Sequence, residues 1–565
     1  MRALGFLCVS LLAVASWSGG AFAAPDHVRV SWDKEDTAHT MAVTWTTQSL
    51  GDASIVQYGP DTSYGQEKTG ANFEANGALG VIHSVSIDGL EPDTLYHYRV
   101  GGPGAWSKDY TFRTGPEDGC SVFRFVALGD NRGDTGSAPS THWNPILNEA
   151  LSHGPSFILN TGDLVKDGDD DKQWAQFLEA SGDGIGHTPL MPSLGNHDDD
   201  KIDGDGASYN QLFSLPRNTY SGSEDYYYFR YGDALFVALS TATFMGGVTQ
   251  FAEQAKWLDE LFTNEPATWR FVYFHHPPYT GTVDLFGIEV DNIAHPPNEL
   301  GQNSALVPIF DKHHVDIVFN GHNHFYQRFE PMCCGGGADE GVPTGDPSTG
   351  TMYIITGGAG ALTYDLSFIG LDIMDLLCGV TGSVHCDGRH HFVLIEINGL
   401  DLTAKVYTTA SQLLGNEEEN IELIDEFTIH KEGPEDPCAP TAADPEPATA
   451  EPALAEAAAE DDKVEDESLN PFESKPKLPL DPTTSFCPPV GQPPFPPQMP
   501  TPRPVTHAWE ERPATAPALR SVVVCGAVWC CVVRVVWLFV MLGLSCLVLR
   551  LGLYVSACAR ACVGV

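Results

Sequence analysis

Three regimes of apolar patterning divide the chain. From residue 28 to about 114, apolar and polar positions alternate in short runs at 27–32, 41–46, 55–58, 83–87, 95–100 and 110–114. A period of two, carried by β-branched and aromatic residues, predicts strands with one buried face. Turn signals such as Gly59-Pro60 separate the runs. Short strands at this spacing predict a small β-sandwich over residues 24–117. Beyond that the runs lose their alternation. Residues 123–128, 156–160, 190–194, 234–239, 270–274 and 315–319 are nearly continuous apolar stretches, as strands covered on both faces require. Helical stretches at 143–151, 173–180, 250–262 and 304–312 fall between several of them, and 351–356, 391–397 and 402–407 read as further strands. Strands alternating with helices predict an α/β domain over residues 118–431.

The third regime has no period. Residues 432–520 are rich in Pro, Ala, Asp and Glu; such a segment cannot bury enough apolar surface to order itself and is expected to be a disordered spacer. Residues 521–565 are apolar, with an uninterrupted core of fifteen residues at 535–549. That is short of the ~20 a spanning helix needs. Adding Val532 and Val533 and letting Arg534 snorkel makes a span feasible, so the tail is a candidate membrane anchor. At the other end, Arg2, an apolar run at 4–15 and Ala21-Phe22-Ala23 read as a signal peptide over residues 1–23. The mature protein is therefore expected to be secreted or held at the cell envelope or surface, where disulfides are permitted. Cys378 and Cys386 are close enough in sequence for a loop-closing bridge.

Charge narrows the partners. Lys and Arg number 30 against 75 Asp and Glu, a formal net charge of −45. This argues against nucleic-acid binding through a basic face. An anionic small substrate stays open only if local cations offset the field.

Five strand ends carry ligand-type residues in order: Gly129-Asp130, Gly162-Asp163, Gly195-Asn196-His197-Asp198, His275 and Gly321-His322-Asn323-His324. The steps from Asp130 to Asp163 and from Asp163 to Asn196 are both 33 residues. In open α/β sheets ligands sit past the C-terminal strand ends. Glycine before the ligand lets the backbone turn sharply there. A single Gly-Asp is only a turn. Carboxylate, amide and imidazole groups at converging strand ends suit a pair of divalent metals.

This order resembles the signature of the calcineurin-like metallophosphoesterases. The sandwich before it, with residues 89–100 resembling a fibronectin type III segment, and the stretch 321–328 resemble the purple acid phosphatase branch. The resemblance implies an N-terminal β-sandwich followed by a metallophosphoesterase α/β sandwich. It implies hydrolysis of a small phosphorylated substrate, a phosphate monoester, by metal-bound hydroxide. A phosphodiesterase or nucleotidase of the same fold, or a non-catalytic cell-surface binding protein, are the alternatives. Asp130 and His324 would bind the first metal, Asn196, His275 and His322 the second, and Asp163 would bridge. His197 would contact the phosphate or its leaving group, with Asp198 fixing its tautomer. His276 would point away, and His295 falls where the family often has a leaving-group acid. Two positions depart from the pattern. Lys166 replaces the tyrosine that binds ferric iron in purple acid phosphatases, and Arg132 replaces the histidine of other metallophosphoesterases. The first metal is thus one protein ligand short, which water, Asn131 or weak binding could accommodate. Divalent Mn, Zn or Fe is expected rather than a ferric-tyrosinate centre. Arg132 would contact a phosphate oxygen or form an ordinary salt bridge.

Overall fold

The computed structural model describes residues 24–432, apart from 76, 118–121, 134–139, 199–206, 242–247, 282, 286–287, 291–300, 334–340, 364–373 and 410–420. The expected signal peptide, the spacer beyond residue 432, the apolar tail and His295 lie outside the described residues. Among the described residues no helix is long and apolar enough to cross a membrane.

The alternating N-terminal runs form two antiparallel sheets. One orders Asp26–Ser31, Thr40–Thr47, Val81–Asp88 and Ala71–Glu74; the other orders Gln66–Thr69, Ile55–Gly59, Leu95–Gly102 and Ala105–Trp106, with Tyr110–Arg113 pairing Leu95–Gly102. Buried Val43, Trp45, Val56, Tyr98 and Phe112 share one core, as the period-two reading requires. This domain is stitched to the next by buried polar bonds and aromatic packing. Arg29 donates to the Leu212 carbonyl from Nε (2.8 Å), and the Tyr98 hydroxyl donates to the Gly186 carbonyl (2.5 Å). Trp32 lies against Phe157, Phe229 and Tyr231 at 5.4–5.8 Å between ring centres.

The second domain is built on two facing sheets. The first orders Leu190–Pro192, Phe157–Asn160, Val122–Leu128, His391–Asn398, Asp401–Thr408 and Glu422–His430, with the first three strands parallel. The second orders Tyr227–Tyr231, Ala234–Ala238, Trp269–Phe274, Ile317–Asn320, Met352–Thr356, Tyr326–Phe329 and Ser383–Asp387; its four strands from Ala234–Ala238 to Met352–Thr356 run parallel. Phe125 of the first sheet meets Phe236 and Phe271 of the second at 5.1 and 5.2 Å. The continuous apolar runs are explained by what lies on each side. Phe236, Phe271, Tyr273 and Phe319 point to the inter-sheet core. Their neighbours Leu235, Val237, Val272, Phe274 and Val318 join Leu258, Phe262, Leu306 and Phe310 of the helices Val248–Asn264 and Gln302–His313. Parallel strands in both sheets end at one shared edge, and the ligand-type residues lie there. Cys378 and Cys386 form the expected disulfide.

Candidate metal centre

Sharp turns at the strand ends place the side chains. Asp130, Asp163 and His322 have φ of 58°, 57° and 70°, left-handed values that ordinary residues seldom adopt. The adjoining glycines are needed for space: a Cβ at Gly195 would collide with Asp163, and one at Gly321 with Asp130 Oδ2. Backbone bonds lash the turns together. Asp130 N–H donates to the Gly162 carbonyl (2.9 Å), Arg132 N–H to the Asp163 carbonyl (3.1 Å) and Gly321 N–H to the His275 carbonyl (2.9 Å).

The structure brings all six expected ligands to this edge. His275 Nδ1 donates to the Thr161 carbonyl (2.9 Å), which turns Nε2 inward, 3.0 Å from Asn196 Oδ1 and 3.3 Å from Asp163 Oδ1. Asn196 Oδ1 also lies 3.2 Å from His322 Nδ1. A carboxylate, an amide oxygen and two imidazoles gathered at one strand edge are the ligand types that suit a divalent metal, so this donor set fits one. Alongside, Asp130 Oδ2 accepts from His322 N–H (2.9 Å), while buried Asp130 Oδ1 makes no hydrogen bond among the described residues and lies 3.5 Å from His324 Nε2. His324 Nδ1 donates to the Leu362 carbonyl (2.7 Å), again directing Nε2 inward.

Charge follows this packing. Burial opposes ionisation of Asp163, yet the His275 and His197 imidazoles and the Arg132 guanidinium together hold its carboxyl well below the usual carboxylate range. Burial likewise opposes protonation of His324, and the neighbouring Asp130 carboxylate outweighs it and raises His324.

Three expectations need correction. Asp198 does not orient His197. Its carboxylate accepts from the backbone N–H groups of Asp163, Leu164, Val165 and Gly195 (2.7–3.1 Å), while His197 Nδ1 donates to the Lys166 carbonyl (2.7 Å). A neighbour in sequence was thus displaced by a carbonyl from another turn. His276 does not point away: its ligand-type atom lies within 4.8 Å of those of His275 and His322, and its Nδ1 is 3.0 Å from Thr241 Oγ1. Asn131 is spent elsewhere, donating to the Leu164 carbonyl (3.1 Å) and accepting from Asn160 (2.8 Å). Arg132 takes the salt-bridge alternative, its Nε 3.2 Å from Asp163 Oδ2.

A further strand end was missed. Met352–Thr356 stops at Gly357, where a Cβ would come 2.9 Å from Asp130 Oδ2. The signal was present, since Thr356-Gly357-Gly358 repeats the apolar-run-then-glycine pattern of four of the other five ends. His390 buttresses this turn by donating from Nδ1 to the Gly358 carbonyl (3.0 Å).

Comparison with known proteins accords with this architecture. Residues 25–114 match the model of the purple acid phosphatase N-terminal domain, and residues 123–326 that of the calcineurin-like phosphoesterases. Purple acid phosphatase 21 of Arabidopsis thaliana is 28% identical over 349 residues, 60% of this chain and 71% of its own. The Fe(3+)-Zn(2+) purple acid phosphatase 12 of the same plant is 26% identical over 325 residues, 54% of this chain and 65% of its own. The solved purple acid phosphatase PPD1 of yellow lupin seeds shares the fold, with a TM-score of 0.57 at 20% identity over 72% of this chain and 74% of that one. Since the two family models fall in order on the sandwich and on the domain that carries the cluster, the chain belongs to the purple acid phosphatase branch of the calcineurin-like phosphoesterases.

Proposed function

We propose that this protein is an exported, metal-dependent phosphatase that hydrolyses small phosphate monoesters. The observation that carries the reading is the inward convergence of Asp163, Asn196, His275 and His322 at one strand edge. Held there, divalent Mn, Zn or Fe would supply Lewis-acid stabilisation of a phosphoryl oxygen and activate water. The family expectation is two such ions, with Asp130 and His324 serving the other and Asp163 between them. Lys166 in place of tyrosine removes the phenolate that a purple ferric centre uses.

The chain's own contribution is positional. His197 is only half-buried, its backbone N–H bonds Asp163 Oδ1 (3.0 Å) and its ring is locked through Nδ1. That leaves Nε2 to bond a phosphate oxygen or to give a proton to the leaving group. Export is supported by the apolar run at 4–15 and by the Cys378–Cys386 disulfide, which belongs to an oxidising compartment. The apolar tail would hold the enzyme at the surface.

The test is turnover of p-nitrophenyl phosphate and bis(p-nitrophenyl) phosphate by purified protein loaded with Mn²⁺ or Zn²⁺. The monoester should be favoured, and His322→Ala should lose at least about 100-fold, on the scale of removing one preorganised charge-stabilising group. Failure to turn over either ester in either metal, with His322→Ala indistinguishable, would sink the enzyme reading. Preference for the diester would overturn the monoester assignment.

A further inference from the structure

The centre has two unequal halves. On one side His275 Nε2 lies 3.3 Å from Asp163 Oδ1 and 3.0 Å from Asn196 Oδ1, and that amide oxygen lies 3.2 Å from His322 Nδ1. On the other, Asp130 and His324 face each other (3.5 Å), and a third charged group intrudes. Arg132 reaches in with Nε 3.2 Å from Asp163 Oδ2, and its Nη2 lies 3.4 Å from His324 Nε2. That nitrogen of His324 is the atom that must face a metal if His324 is to bind one.

Arg132 is not a surface arm that happens to fold inward. Its backbone N–H is tied to the Asp163 carbonyl (3.1 Å), so its side chain leaves the main chain beside the centre and is only 12% exposed. Guanidinium has donors and no lone pair, so it cannot act as a ligand. It stays protonated at any working pH, so it cannot be neutralised to make room. It also satisfies the Asp163 oxygen that would otherwise bridge to the second ion. Buried Asp130 Oδ1 makes no hydrogen bond among the described residues and has the His324 ring facing it at 3.5 Å.

We propose that Arg132 is a resident cation competing for the Asp130/His324 position. The chain then takes one divalent ion tightly, at Asp163, Asn196, His275 and His322, and a second only when the guanidinium is driven out. Guanidinium and metal divide the positive charge that two metals share elsewhere in the family. The inference rests on the cluster being a metal centre but not on the identity of the reaction.

Metal content of the full chain tests it without recourse to activity. Protein saturated with Mn²⁺ or Zn²⁺ and dialysed should retain one equivalent by elemental analysis. Calorimetric titration should show the second site at least about 100-fold weaker, as a fixed charge at contact distance demands. Arg132→Ala and Arg132→His, the latter supplying an imidazole, should each retain two equivalents, while Arg132→Lys should stay at one. His322→Ala should lose the tight equivalent. Circular dichroism identifies any variant that has unfolded, and Arg132→His carries the test if Arg132→Ala does not fold. Two equally tight equivalents in the unaltered chain, or one in folded Arg132→His, would overturn the proposal. Ester turnover, measured separately, could fail with one tight ion present, which would remove the phosphatase reading and leave this one standing.

Discussion

Asp198 is 1% exposed and accepts four backbone N–H bonds that would otherwise be buried without partners. Its neighbour His197 is half-exposed, with its imidazole bonded to a carbonyl. The two residues therefore separate cleanly in a stability measurement. Asp198→Ala strands four donors, and at about 1–3 kcal/mol for each unsatisfied buried group, partly recovered by relaxation, it should cost at least about 3 kcal/mol in urea denaturation. His197→Ala, which gives up a single hydrogen bond, should cost no more than about 1.5 kcal/mol in the same denaturation, yet reduce turnover and remove one limb of its pH profile. If both variants lowered stability alike, the carbonyl-held imidazole would be structural too. Adjacency in sequence could not reveal this division, because most of the groups that bond the two side chains come from a turn some 30 residues away, as Lys166 does for His197 and Asp163, Leu164 and Val165 do for Asp198.

At the scale of elements, the strand ends were legible because two independent physical demands write the same pattern. Strands buried on both faces need an unbroken apolar run, and at four of the five ends the ligand has a glycine beside it to clear the space. The inner and outer neighbours Phe271 and Val272 show the first demand, and the clash that a Cβ at Gly321 would make shows the second. Strands lacking such demands escaped notice. Gln66–Thr69 is exposed at every position, and Glu422–His430 has only two buried positions in nine. Neither carries a pattern to read. Nor could sequence disclose how firmly the sandwich is joined to the catalytic domain, since Trp32 looks like any other strand tryptophan. Its contacts with Phe157, Phe229 and Tyr231 cross between the two domains. Trp32→Ala should therefore cost about 3–5 kcal/mol, the usual figure for truncating a fully buried tryptophan. It should also make the sandwich melt ahead of the catalytic domain in calorimetry. A single unshifted transition would show that the interface contributes little to either domain.

For the molecule as a whole, acid should act in two opposed ways. Protonation carries the net charge from −45 toward zero near the isoelectric point of about 4.5, relieving self-repulsion and favouring the compact state. Buried titratable groups then decide the balance. Burial, reinforced by the His142 ring, pushes His390 down to about 3, and burial pushes His391 down to about 4. Both have an ordinary value of 6.5, so between pH 6.5 and 4 the unfolded chain binds more protons at these two sites and stability falls as pH falls. Glu224 works the other way: burial, partly offset by Arg217, lifts it to about 7 from 4.5, and the folded state gains stability as pH drops through that window. Among these three groups the two histidine shifts outweigh the one carboxyl shift, while His324, raised by Asp130, and Asp198, raised by burial, act on the side of Glu224. By pH 4.5 each histidine should have cost about 2–3 kcal/mol at 1.4 kcal/mol per unit. Measured at 0.15 M salt, where long-range repulsion is screened, the urea midpoint should therefore drop from pH 6.5 to 4.5. His390→Gln, which cannot protonate but can still donate to the Gly358 carbonyl, should flatten that slope. A midpoint that held level or rose on acidification would mean that charge relief governs this protein and that the buried histidines are kept neutral at little cost.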